Sequence, residues 1–189
     1  MVHLGHLIHF GHANVIRYSN RPWPMVNEMN DGIIERWNDL IRPDDTVYHL
    51  GDFTLTKNVE AIDDWLGRLH GIIRLVRGNH DVWTKRFDRL KNQHKIKWIR
   101  DYAERTFEVG GKKWKFVLCH FPLMFWHQSH HGSIHLHGHC HGNANHHNVG
   151  VRRMDVGVDC NNWYPVLLEN IVTMMEGVEV NPHHERYNN

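Results

Sequence analysis

The chain opens on apolar residues, Val2, Leu4, Leu7 and Ile8, broken by histidine and glycine, which predicts a first strand within Met1 to Ile8. A polar, loop-like stretch runs from His12 to Pro24. Met25, Met29, Ile33, Trp37 and Leu40 or Ile41 then recur at the spacing of one helix face, and Pro43 ends the run. Thr46 to Leu50 (TVYHL) predicts a second strand. Thr56 is the expected N-cap of a helix carrying Val59, Ile62, Trp65, Leu66 and Leu69, with Gly71 just past its end. Ile72 to Val76 (IIRLV) is short and β-branched, hence a strand. Helical signal returns around Lys85 to Gln93. Arg105 to Val109 and Lys113 to Cys119 flank Gly110-Gly111 and predict a β-hairpin. Ile134 to Leu136 and Met154 to Val158 are further short strands, and Val166 to Glu176 closes the domain as a helix or as strand plus turn. Strands that first alternate with helices and then run on as strands predict a two-layer or sandwich α/β domain over 1–180, with a polar tail at 181–189.

Composition narrows the function classes. The 189 residues suffice for one domain with its own core. A net charge of +1 gives no field for nucleic acid or membrane spread over the surface. The basic run at Lys112, Lys113 and Lys115 reads as a solvated hairpin end. Three cysteines, Cys119, Cys140 and Cys160, without a C-x-x-C pair, speak against a disulfide scaffold and for a reducing cytoplasm. No leader is visible and no apolar run approaches the roughly 20 residues of a membrane span. The exceptional number is 20 histidines, nine of them between His127 and His147. Histidine is the commonest metal ligand, so the clustering needs a reason.

Four segments share one grammar, an apolar run followed abruptly by ligand-type residues. They are LIHFGH (Leu7 to His12), HLGDF (His49 to Phe53), VRGNHD (Val76 to Asp81) and HLHGHCH (His135 to His141); FVLCHFP (Phe116 to Pro122) repeats it with one histidine. Polar residues at strand ends are how an α/β fold builds a site, because those loops converge on one crevice. Gly51-Asp52 alone is a weak signal and reads more readily as a turn. Gly78-Asn79-His80-Asp81 puts three ligand types on one tight loop. His139 and His141, two apart on an extended segment, can face the same way, with Cys140 pointing off.

Together these segments resemble the calcineurin-like metallophosphoesterase superfamily, in particular its small phage and bacterial members. That family's pattern of D-x-H, G-D, G-N-H-D/E, a lone H and G-H-x-H is matched by Leu7-Ile8-His9, Gly51-Asp52, Gly78-Asn79-His80-Asp81, His120 and Gly138-His139-Cys140-His141. The resemblance implies a four-layer α/β/β/α sandwich of two mixed sheets flanked by helices. It further implies two divalent metal ions at the strand ends, manganese first, with iron, zinc, nickel or cobalt as options. Asp52 would bridge them. Asn79, His120 and His139 would complete one site; His9 and His141 would belong to the other. His80 would contact the substrate phosphate, with Asp81 orienting its ring. The implied activity is hydrolysis of a small phosphoester, nucleotide-like among the options, by a water that the two metals activate.

One position departs. Where the family has its first Asp, this chain has Leu7, so one site is expected to be weakened unless His6 or His3 substitutes. Activity should then demand more metal. The rival expectation is an inactive metal-binding relative that serves as a protein-binding module; a nuclease on polymers is disfavoured by the neutral charge. His12 and Arg21 are expected at the cleft rim, holding a phosphate oxygen. Trp83, Phe125, Trp126 and Trp163 could wall a nucleobase, and His127 to Gly132 could form a lid. The expected partner is a small phosphoester, with no nucleic acid and no membrane, and with self-association left open.

Overall fold

The computed structural model of the protein describes residues 1–5 and 7–180, so His6 and the tail at 181–189 lie outside it. Strands β1 (Val2–Gly5), β2 (Thr46–His49), β3 (Ile72–Val76) and β4 (Ile96–Arg100) pair in parallel, and β9 (Val166–Leu167) adds antiparallel to β1, giving the order β4-β3-β2-β1-β9. The second sheet has the order β5-β6-β7-β8. In it β5 (Tyr102–Val109) and β6 (Lys112–Cys119) form the expected hairpin, and β7 (Ile134–His137) and β8 (Arg153–Asp155) pair in parallel beyond β6. At the hairpin tip Gly110 and Gly111 take φ of 61° and 75°, which the paired left-handed positions of such a tight turn require.

Two mixed sheets flanked by helices are thus what the chain builds. α2 (Val26–Leu40) and α3 (Val59–Arg68) cover one face of the first sheet: Met29, Ile33, Trp37, Ile62 and Leu66 pack in one cluster with Val47, Ile73 and Leu75. The expected stripe on α2 is therefore core, although Met25 and Leu40 at its ends are exposed. Leu4, Tyr48 and Val76 on the other face meet Trp114, Phe116, Leu118, Ile134 and Leu136 of the second sheet, and α4 (Leu168–Glu176) adds Leu168, Ile171, Val172 and Met175 to that core. On the outer face of the second sheet, Trp126 and Asn148 approach the β7 histidines His135 and His137. The buried His135 there packs against Trp126, with ring centroids 5.4 Å apart and planes tilted by 37°. Burial pushes the His135 imidazole down to about 4, a neutral core histidine.

Three expectations about elements need correction, and one strand was not foreseen. The segment after His12 is not all loop: α1 spans Ala13–Tyr18, and because only Val15 is buried it left no apolar stripe to read. The cap of α3 is Asn58, whose side chain accepts from the Ala61 N–H (3.0 Å); Thr56 instead accepts from the Asn58 N–H. The helical signal around Lys85 resolves into 3-10 segments at Val82–Arg89 and Gln93–Lys95. Strand β4 was hidden because Lys97 and Arg100 interrupt its apolar residues, as suits a sheet edge. Among the described residues no helix is long and apolar enough to cross a membrane.

Candidate metal centre

The loops leaving β1, β2 and β3 are laced to each other. The N–H groups of Leu7, His9 and Phe10 donate to the carbonyls of Gly51, Asp52 and Phe53 (3.1, 3.1 and 2.9 Å), continuing the parallel ladder past the strands. Asp81 ties the third loop to the second: its oxygens accept from the N–H groups of Asp52, Phe53 and Gly78 and from the Trp83 indole at 2.8–2.9 Å. The loops approach so closely that a Cβ on Gly78 would lie 2.2 Å from an Asp52 carboxylate oxygen, and one on Gly51 (φ 95°) would lie 2.4 Å from Gly78 N. The second sheet joins in through Gly138, whose N–H donates to the His120 carbonyl (2.9 Å), and through His120 itself, whose Nδ1 donates to the Leu50 carbonyl (2.8 Å).

This lacing brings Asp52, His120 and His139 together, with ligand atoms all within 4.8 Å of one another. Asn79 Oδ1 lies 3.0 Å from His120 Nε2 and 3.0 Å from His139 Nδ1; those two nitrogens are 3.2 Å apart, and Asp52 is 3.4 Å from His120 Nε2. With the His120 Nδ1 proton committed to Leu50, Nε2 presents a lone pair to an amide oxygen and a carboxylate. Asp52 and His120 are buried, Asn79 and His139 exposed, and acceptors aimed at one another across such a half-open site call for a proton or a cation between them. Electrostatics agree. Burial alone would raise the Asp52 carboxyl and lower the His120 imidazole, but each holds the other's charged form, so Asp52 is shifted down and His120 up. Oxygen and imidazole donors without thiolate suit a divalent metal ion, so the residues present fit one.

His9 and His141 form an adjoining half. Their rings stack, with centroids 5.1 Å apart and planes 14° from parallel. His9 Nε2 is 3.8 Å from Asp52, and both ring nitrogens of His9 are buried without a hydrogen-bond partner. Burial drives its imidazole well below the ordinary value, so the ring is neutral, as a ligand must be. Leu7 is fully buried beside it. Leu7, His9, Asp52, His139 and His141 all have positive φ (58°, 55°, 55°, 68° and 49°), a conformation that costs a side-chain-bearing residue energy and gathers where function demands it.

The rim differs from expectation. Arg21 is not a free rim cation. It is buried, donating to the carbonyls of Leu7 and Ile8 (2.7 Å each) and, through Nε and Nη2, to Asp159 (2.9 and 3.0 Å). Asp81 does not orient His80, since both its oxygens are engaged by the donors above; burial pushes its carboxyl up, against the pull of those N–H groups. His80 is exposed, its ring 5.9 Å from that of His9. His12 stands 5.6 Å from His9 with its Nδ1 buried and unpartnered. Of the expected aromatic wall, Trp83 is buried, Trp126 packs on His135 and Trp163 packs on Trp23. The aromatic at the ligands is Phe121, 44% exposed and 4.8 Å from the His139 ring. The segment His127 to Gly132 is anchored to β5, with His127 Nδ1 2.9 Å from Glu104.

Asp159 was missed. It follows Val156-Gly157-Val158 in the same apolar-then-ligand grammar as the other loops, which is the signal that could have found it. The substitute suggested for the missing carboxylate, His6, lies outside the described residues; His3 is turned away toward Asp45 (3.3 Å).

A family profile described as a calcineurin-like phosphoesterase superfamily domain matches residues 30–163, a span that begins after Leu7 and His9. An uncharacterized protein of Methanocaldococcus jannaschii is 37% identical over 175 residues, covering 89% of this chain and 87% of its own length. The crystal structure of a protein of unknown function from Aquifex aeolicus is similar in fold, with a TM-score of 0.69 at 22% identity over 92% of this chain and 98% of that one.

Proposed function

Given that the chain belongs to the calcineurin-like phosphoesterase superfamily, we propose that it is a metal-dependent hydrolase of a small phosphoester. The observation that carries this reading is the convergence of Asp52, Asn79, His120 and His139 on one point with their acceptor atoms inward. These four would hold one divalent ion, and Asp52, His9 and His141 a second. Bound there, the ions would supply positive charge that stabilises the attacking and leaving oxygens of an in-line displacement. The chain's own groups do the rest. His80, exposed beside His9, would give a ring proton to the leaving oxygen. His12 offers its unpartnered Nδ1 to a phosphate oxygen. Phe121 offers an aromatic face for a base or aryl leaving group. Manganese is the metal proposed for first trial. A reducing cytoplasm is the proposed setting, in keeping with three free cysteines.

The test is hydrolysis of an aryl phosphodiester and an aryl phosphomonoester with excess Mn²⁺, run on the natural chain and on Leu7→Asp. Activity is expected in both, with the variant saturating at about tenfold lower Mn²⁺, because a second carboxylate raises affinity for a hard dication. No turnover in either protein would favour the rival reading of an inactive binding module, for which Leu7 is the specific observation.

A further inference from the structure

His141 is the ligand with the most elaborate support. Its Nδ1 lies 2.6 Å from an Asp159 carboxylate oxygen and 3.1 Å from the Ser19 hydroxyl. The Asp159 side chain is only 2% exposed, and its other contacts are the two Arg21 donors. The same guanidinium donates to the carbonyls of Leu7 and Ile8, the two residues that lead into His9. A single buried ion pair therefore grips the side chain of one candidate ligand and the backbone that carries the other, and the two rings lie stacked.

We propose that Asp159, held by Arg21, is the positioning residue of the His9 and His141 half of the centre, fixing the His141 proton on Nδ1 so that Nε2 is bare for a cation despite Leu7. It acts by orientation, not ligation. Both its oxygens are engaged, and turning one toward a cation would leave a buried guanidinium uncompensated. A ligating imidazole is generally set in this way by the hydrogen bond its other nitrogen makes. Position 7 has lost a donor; the pair removes the disorder that the remaining donors would otherwise have to surrender on binding. The proposal rests on the reading of this centre as a metal site, and its test uses no phosphoester.

The experiment is calorimetric titration of the metal-free protein with Mn²⁺ alone, alongside nitrogen-15 NMR of the His141 ring at a pH where it is neutral. Asp159→Asn is the variant. Its amide oxygen would be claimed by Arg21, so its NH₂ would face His141, demand the lone pair at Nδ1 and drive the ring proton to Nε2. The natural chain is expected to bind two equivalents with His141 protonated on Nδ1. The variant should keep the first equivalent within twofold and weaken the second by 10- to 100-fold. Equal weakening of both equivalents, or no change in either, overturns the proposal. So does a natural chain that binds one equivalent only. If the variant does not fold, the natural chain decides alone: an Nε2–H tautomer at His141 overturns the proposal and an Nδ1–H tautomer upholds it. Failure of hydrolysis with these results intact would sink the proposed activity and leave this inference standing.

Discussion

His120 stands between a carbonyl that takes the proton on Nδ1 and a group of acceptors that face Nε2. Without a cation, a proton on Nε2 answers those acceptors, which is why the imidazole is shifted up against the effect of its burial. Metal uptake must displace that proton. Below the raised value the ring is doubly protonated and competes with the ion; above it the competition fades, so affinity should rise with pH through that value. The expected result is release of a proton when the ion at His120 binds below that raised value, read from the dependence of the calorimetric enthalpy on the buffer's ionisation enthalpy. A signal independent of buffer would contradict it. At this scale the sequence named residues well and directions poorly. Asp52, Asn79, His120 and His139 were singled out because five motifs in order resemble the family's pattern; taken alone, Gly51-Asp52 and Gly78-Asn79-His80-Asp81 read as readily as turn chemistry. The turn of Asp81 away from His80 was not legible, because two of the four donors that capture it, the N–H groups of Asp52 and Phe53, come from a loop 29 and 28 residues away. Arg21 was read as a surface cation for the same reason: its carboxylate partner is 138 residues distant.

The elements owe their contact at the site to glycine. Gly78 lies where a methyl group would collide with the Asp52 carboxylate and backbone, whereas a Cβ on Gly111, at the hairpin tip, would meet nothing within 4 Å. Gly78→Ala should therefore cost about 2 kcal/mol or more of folding stability and abolish uptake of the first ion. Gly111→Asn should be nearly neutral, because asparagine tolerates a left-handed turn position. Denaturant midpoints of the two variants check this, and equal losses would refute it. Strands with β-branched runs, such as β3, and the helix with a clear apolar stripe, α2, could be read directly. Elements lacking a buried face of their own could not: α1 buries one residue, and β4 alternates charge with its apolar positions.

Across the whole molecule, the candidate ligands come from both sheets. His9, Asp52 and Asn79 follow strands of the first; His120, His139 and His141 follow strands of the second. A bound ion would then bridge the sheets as well as fill a site. Any ligand specific to the folded state adds stability by mass action, about 2.7 kcal/mol at a hundredfold excess over its dissociation constant. For a domain of this size that corresponds to a melting point about 5–10 °C higher. A thermal scan with Mn²⁺ against one with chelator checks this, and superimposable curves would mean that the acceptors are answered by protons alone. The order of strands and helices narrowed the fold to a two-layer or sandwich α/β domain, and the two mixed sheets were legible only through the family resemblance.

The left-handed backbone at His9, Asp52, His139 and His141 has a consequence for the chain's history. Each such residue would relax by about 1 kcal/mol if glycine took its place. A lineage released from holding ions would therefore find stability waiting at these four positions and drift toward smaller side chains there. This chain carries imidazole or carboxylate at all four, and leucine, also left-handed, at position 7. Binding of the proposed ions would offset that backbone cost, so occupancy of the centre and its strained geometry should stand or fall together.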